Sequence, residues 1–166
     1  MAKILIVAHP HSPHTRTRGL IGQQAGHQIF WVSTPKVNLP NVTAFGPPLS
    51  SGRLGRLVLE PVVLELALRR VKPDLIHVHG ARQGLRTPVL LAHHTPLIVS
   101  TMGGDILPDQ SFVGVHAHLV RALLNRADFI TSKSDFLDDV LARMGDYRLK
   151  TRRINWGIDL DRFQPG

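Results

Sequence analysis

Short apolar runs alternate with longer mixed stretches from one end of this chain to the other. Residues 3–8, K-I-L-I-V-A, form an unbroken apolar run halted by His9 and Pro10, the pattern of a central strand buried on both faces. Gly26 and His27 introduce a second run at 28–33, and residues 41–45 make a third before the break at Gly46, Pro47 and Pro48. Further strands are predicted over 75–79, 96–101, 128–132 and 152–156, and helices over 15–25, 84–93, 112–126 and 134–144. Residues 54–71 carry leucine and valine on several helical faces with Pro61 in the middle. An interior proline removes a helical hydrogen bond, so a kinked helix or two short ones are predicted there, ending at Pro73 and Asp74. Ser134 is a candidate N-cap, Asp135 and Asp138 complement the dipole of the helix it opens, and Gly145 closes that helix.

Strands that alternate with helices of this length form parallel, right-handed βαβ units. The fold expected is α/β: a single Rossmann-like, doubly wound parallel sheet with helices on both faces. In such sheets ligands collect at the carboxyl ends of the strands, which selects the segments 9–16, 80–84, 102–109, 132–135 and 156–159. Each is rich in Gly, Ser, His or Asp, residues that also serve turns.

At 166 residues the chain suits one domain with one core. With 43% hydrophobic and 19% charged residues it reads as globular rather than disordered. The absence of cysteine excludes disulfides, thiolate metal sites and cysteine nucleophiles. The run at 4–8 is too short for a signal peptide, and Glu60, Pro61 and Glu65 interrupt the longest candidate for a membrane span. A cytoplasmic protein is expected, with peripheral membrane attachment open. The net charge of +8 favours anionic partners without choosing among phosphates, lipids and nucleic acid. Nucleic acid fits least, since aromatic residues make up only 5% and no binding motif occurs.

The loop after the first strand, H-P-H-S-P-H-T-R at 9–16, has two prolines and no glycine where a dinucleotide fold shows G-x-G-x-x-G. NAD and FAD are therefore not expected as cofactors. Ser12, Thr15 and Arg16 with the following helix N-terminus suit an anion, or the loop is simply solvated. Ten histidines include H-x-H pairs at 9/11, 77/79 and 116/118. Residues two apart share a face only on a strand, so His77 and His79 alone could chelate. No acidic cluster or cysteine completes such a site, and buried, hydrogen-bonded strand histidines are the expectation.

The tail at 152–166, R-R-I-N-W-G-I-D-L-D-R-F-Q-P-G, resembles the hinge entry between the two halves of retaining GT-B glycosyltransferases of family 4. That family usually reads N-G-V-D-x-x-x-F-x-P here, and Trp156 stands as an insertion between Asn155 and Gly157. The likeness continues in G-H-Q-I-F-W-V-S at 26–33, P-D-L-I-H-V-H-G at 73–80, T-M-G-G-D at 101–105 and D-F-I-T-S-K-S at 128–134. Many members have T-x-H-G-x-D at the third of these, and Gly103 stands where their histidine would be.

The resemblance implies half of a two-domain enzyme: residues 1–153 as the N-terminal, acceptor-side domain and 154–166 as the start of the interdomain hinge, with a C-terminal donor-binding domain missing. The implied activity is transfer of a sugar, with retention, from a nucleotide-sugar to a sugar or lipid-linked acceptor in glycan or glycolipid synthesis. It needs no cofactor and no metal, and this half alone is expected to be inactive. By position, Gly103 and Gly104 would lie at the reacting sugar, Asp105 would bind acceptor or order its loop, and His79 with Gly80 would line the floor. His9, Arg16, Ser132, Lys133 and Ser134 complete the expected cleft lining, and no catalytic side chain is assigned. The other reading is a free-standing Rossmann-like binding module or split subunit that needs a separate donor-binding chain. Basic residues gather at Arg53, Arg56, Arg69, Arg70 and Lys72, and again at Arg143, Arg148, Lys150, Arg152 and Arg153. Either group suits an anionic membrane surface or a solvated helix end.

Overall fold

The computed structural model describes residues 1–9, 13–34, 36, 41–47, 53–107 and 114–155. The hinge-like tail beyond Asn155, the loop at 10–12 and the side chains of Arg53 and Arg56 lie outside this description. The elements run β1 (Lys3–Val7), α1 (Pro13–Gln24), β2 (Gln28–Val32), β3 (Thr43–Phe45), α2 (Arg53–Val71), β4 (Leu75–His79), a 3₁₀ turn (Gly84–Arg86), α3 (Thr87–Ala92), β5 (Leu97–Ser100), α4 (Val115–Arg126), β6 (Phe129–Ser132), α5 (Asp135–Met144), a second 3₁₀ turn (Arg148–Lys150) and β7 (Thr151–Arg153). The segment expected as one helix over 84–93 is thus a 3₁₀ turn followed by a short α-helix. The segment at 54–71, expected as one kinked helix or two short ones, is not divided: one helix runs through Pro61.

All seven strands are parallel, in the order β3-β2-β1-β4-β5-β6-β7. The chain winds outward from β1 to β3, crosses back through α2, and lays β4 on the other side of β1. The carboxyl ends of β1 and β4 therefore flank the topological switch point, where a doubly wound sheet opens a crevice.

Side-chain alternation along the strands separates two cores. Leu5 and Val7 of β1, Ile76 and Val78 of β4, Leu97 and Val99 of β5 and Ile130 of β6 pack with Leu64 and Leu68 of α2, Leu90 of α3, Leu123 of α4 and Leu141 of α5. On the opposite face Ile6, Ala8, Ile29 and Trp31 form a small cluster under α1. A Cβ at Gly19 would come within 3.1 Å of the Trp31 ring, so the glycine lets α1 lie close. Right-handed crossovers explain the imbalance: only the β1 to β2 connection runs outward in that direction and leaves a described helix on that face. Over β5 to β7 the same face carries Ile98, Thr131 and Phe129, the last 48% exposed with the Arg152 guanidinium 6.0 Å from its ring centre.

The acids that precede strands act at the other end of the sheet. Asp74 accepts from the Lys3 amide at 2.7 Å and Asp128 from the Leu97 amide at 2.8 Å. Each satisfies a strand's first N–H, which has no ladder partner. Lys150, from the second basic group, donates to the carbonyls of Leu124, Asn125 and Ala127 and so caps the C-terminal end of α4. Arg153 is tied to Asp135 and Asp138 of α5.

Candidate functional site

The loop after β4 is shaped by glycine. Gly80 sits at φ +88° and Gly84 at φ +56°, a backbone region costly for residues with a Cβ, and between them the chain turns sharply over the sheet edge. The loop after β5 is bound to it. Asp105 accepts from the Ala81 amide through one oxygen and from the Met102 amide, at 2.8 Å, through the other. Asp105 is only 8% exposed, so its carboxylate orders two loops rather than facing a cleft. Gly103, at φ +107°, and Gly104 belong to the turn it holds, and among the described residues no atom beyond their chain neighbours lies within 4 Å of where a Cβ would be.

Beneath this turn lies a polar cluster centred on the Ser100 hydroxyl. Arg18 donates to it at 2.8 Å and Thr131 at 2.7 Å, and it lies 2.8 Å from Nε2 of His77. The Ser100 hydroxyl thus joins Arg18, Thr131 and His77 in one network. Burial, helped by the Arg18 charge, pushes the His77 pKa down to about 4. The His79 ring lies 4.3 Å from that of His77. Unlike His77, and against the expectation of hydrogen-bonded strand histidines, it has no hydrogen-bond partner on either ring nitrogen among the described residues. Burial, then the neighbouring His77 and Arg18, lowers its pKa to about 2. A buried polar group left without a partner costs about 1–3 kcal/mol, which a ligand can recover.

His79 lines a cavity of about 410 Å³ at the switch point. Ala8 and His9 border it from the end of β1, Thr34 from beyond β2, Arg82, Gln83 and Gly84 from the β4 loop, and His116 from α4. Glu60 of α2 and Arg86 complete the wall. The buried Arg86 guanidinium donates to the Thr34 hydroxyl at 2.7 Å and to Gln83 Oε1 at 3.4 Å, and lies 3.4 Å from Glu60. Its Nε has no partner among the described residues. Burial lowers the Arg86 pKa, with Glu60 opposing. Gln83 in turn donates to the Gly80 carbonyl at 2.7 Å, which fixes the turn above His79. A second cavity of about 200 Å³ between α5 and β7 includes Asp138 and Arg153, which already satisfy one another.

Of the residues singled out by sequence, His9 and His79 line the switch-point cavity, and Gly80, Gly103, Gly104 and Asp105 build the turns above it. Arg16 is exposed on α1 and is not among the lining residues. Ser132 donates its hydroxyl to Asp138, and Ser134 caps α5 by accepting from the Leu137 amide at 3.3 Å. Lys133, between them, is half-buried. These three stand at the end of β6 and do not line the cavity. Glu60, Gln83 and Arg86 were not legible as site residues. Gln83 and Arg86 fall in or beside a glycine-flanked loop that draws attention, but nothing in the sequence separates Glu60 from an ordinary surface acid. Among the described residues no group of three or more His, Cys, Asp or Glu is placed to hold a metal ion. Among them, too, no helix is long and apolar enough to cross a membrane.

Solved structures share this fold at low identity. Sucrose-phosphate synthase from Thermosynechococcus elongatus superposes with a TM-score of 0.74 at 15% identity, over 100% of this chain and 51% of that one. HepE from Anabaena, in complex with UDP and glucose, gives 0.66 at 20%, over 97% and 46%. UDP-GlcNAc 2-epimerase from Methanocaldococcus jannaschii gives 0.65 at 13%, over 92% and 45%. The chain thus spans about half the length of these neighbours. No curated protein sequence matches it. The sequence model of Glycosyltransferase Family 4 matches residues 17–162, from the first helix through the last strand into the tail, and the chain belongs to that family.

Proposed function

We propose that this chain is the N-terminal, acceptor-binding half of a GT-B glycosyltransferase that moves a sugar from a nucleotide-sugar to an acceptor with retention, in glycan or glycolipid synthesis. The observation that carries the reading is the polar cavity at the switch point of a family 4 domain, open where a second domain would face it. Support for the missing half comes from the coverage of about half of each structural neighbour. The donor would be held by the other half, with positive charge and helix dipoles stabilising the departing diphosphate and no metal required. This half would hold the acceptor hydroxyl beside the loop at Gly103 and Gly104.

The test is to join the chain to a donor-binding half and follow the product's anomeric configuration by proton NMR. Retention is expected, and inversion would remove that part of the proposal. A split enzyme, with the donor half on a separate polypeptide, fits the same coverage and would be recognised by co-purification of the two chains.

The proposed site of action is a membrane surface reached from the cytoplasm. On α2, Leu57, Val58, Val62 and Leu66 are each about half exposed or more and lead to the exposed Arg69, Arg70 and Lys72. An apolar stripe ending in cations suits anionic lipid. Co-sedimentation with phosphatidylserine vesicles, lost on changing Val62 and Leu66 to serine, is the expected result.

A further inference from the structure

Buried polar atoms without hydrogen bonds are concentrated at one place in this fold. Among the described residues seven side-chain nitrogens and oxygens are so placed, and five of them belong to His79, Arg82 and Arg86, which line the switch-point cavity together. Of these five atoms four donate and one, the second imidazole nitrogen of His79, accepts. Arg82 has an interaction of its own, yet its Nε and Nη2 are among the five. Those two nitrogens form one edge of the guanidinium, and their N–H bonds run parallel, the geometry that a carboxylate or phosphate accepts through two oxygens. Glu60, the one described carboxylate on the wall, already faces Arg86 at 3.4 Å, so two guanidiniums are matched there by a single negative charge. An oxyanion accepts from every one of these donors. A hydroxyl accepts too, but brings a proton that needs an acceptor in turn.

We propose that the switch-point cavity is an oxyanion site, in which a phosphate or carboxylate group carried by a small molecule is held on the Nε–Nη2 edge of Arg82, with Arg86 Nε and the His79 ring as further donors. The volume of about 410 Å³ falls within the range of small-molecule pockets and leaves room for the body of the ligand beside its anionic group. The exposed His9 and His116 form the rim and, when they titrate, add only positive charge. Glu60 is the element that opposes an anion and limits how tightly it is held. Joined to the acceptor-side reading above, on which this one step rests, the site names an acceptor that carries a phosphate or carboxylate. The oxyanion site itself does not depend on that reading.

The experiment uses the chain labelled with ¹⁵N-arginine and follows the Nε–H signals of Arg82 and Arg86 by NMR. Inorganic phosphate, glucose 6-phosphate and glucuronate are titrated at constant ionic strength beside glucose. At least one anion should shift both signals saturably, with a Kd around millimolar or tighter, and glucose over the same range should not. Comparing the phosphate ester with the carboxylate tells which group the site takes. R82K, which keeps the charge and loses the parallel pair, should weaken that anion roughly tenfold, read from the Arg86 signal. E60Q, which keeps shape and removes the opposing charge, should tighten it by roughly threefold or more. The proposal is overturned by no saturable shift with any anion, by an equal response to glucose, by shifts of the same size at the exposed Arg69 and Arg70, or by R82K binding as the unaltered chain does. The two readings fail separately. If an anion binds but a form continued into a donor-binding half transfers from no nucleotide-sugar, the site stands and the transferase reading falls. If that form transfers sugar while no anion binds, the reverse holds.

Discussion

His77 and His79 stand two residues apart on one strand and titrate far below a free histidine, at about 4 and about 2 against 6.5. With folded pKa values depressed, the unfolded chain binds more protons below pH 6.5, so their contribution is full above that pH and is lost as pH falls toward 4. Each proton is worth about 1.4 kcal/mol per pH unit, which predicts a stability loss on the order of 3 kcal/mol between pH 7 and pH 5 by urea denaturation. H79F should roughly halve that slope. The sequence gives their shared face through simple alternation, but not that one would be bonded and the other left bare, because the Ser100 hydroxyl and Arg18 come from distant positions. Asp105 shows a similar limit: its place after a glycine pair is readable, its hold on the Ala81 amide across the sheet edge is not. D105A, which strands two amides, should destabilise by about 3 kcal/mol, with D105N recovering part of the loss in the same denaturation assay.

At the level of elements, strand positions were legible because central parallel strands are continuous apolar runs, and α5 because its cap and acidic first turn are local signals. At Pro61 the sequence left open one kinked helix or two short ones, and a single helix runs through it. The buried stripe of Leu64, Ala67, Leu68 and Val71 holds α2 to the sheet, and tertiary packing outweighs one missing hydrogen bond. The 3₁₀ turn at Gly84 was missed because Gly84 requires a positive φ that no periodicity reveals. The end of α5 carries a steric prediction. A Cβ at Gly145 would lie 2.8 Å from the Tyr147 ring, which the hydroxyl's bond to Asn125 at 3.0 Å holds in place. G145A should lower stability by about 1–3 kcal/mol, read from the denaturation midpoint, and Y147L should relieve much of the clash while losing the Asn125 bond.

For the molecule as a whole, alternation of strand and helix gave the parallel sheet, and the order of weak motifs gave the family, now matched over residues 17–162. The uneven cover was not readable: among the described helices α1 alone lies on one face, which follows from the strand order that alternation does not fix. F129S in this chain should lower stability by about 1–2 kcal/mol, since half of the ring is buried and the Arg152 guanidinium lies over it. The central claim, that this chain is the acceptor-side half of a glycosyltransferase, is tested most directly by assaying transfer from labelled nucleotide-sugars with the chain alone and with the chain continued into a donor-binding half. The account predicts no turnover by the chain alone and retaining transfer by the continued form. Robust transfer by the chain alone, or none by the continued form across a full set of nucleotide-sugars, would contradict it.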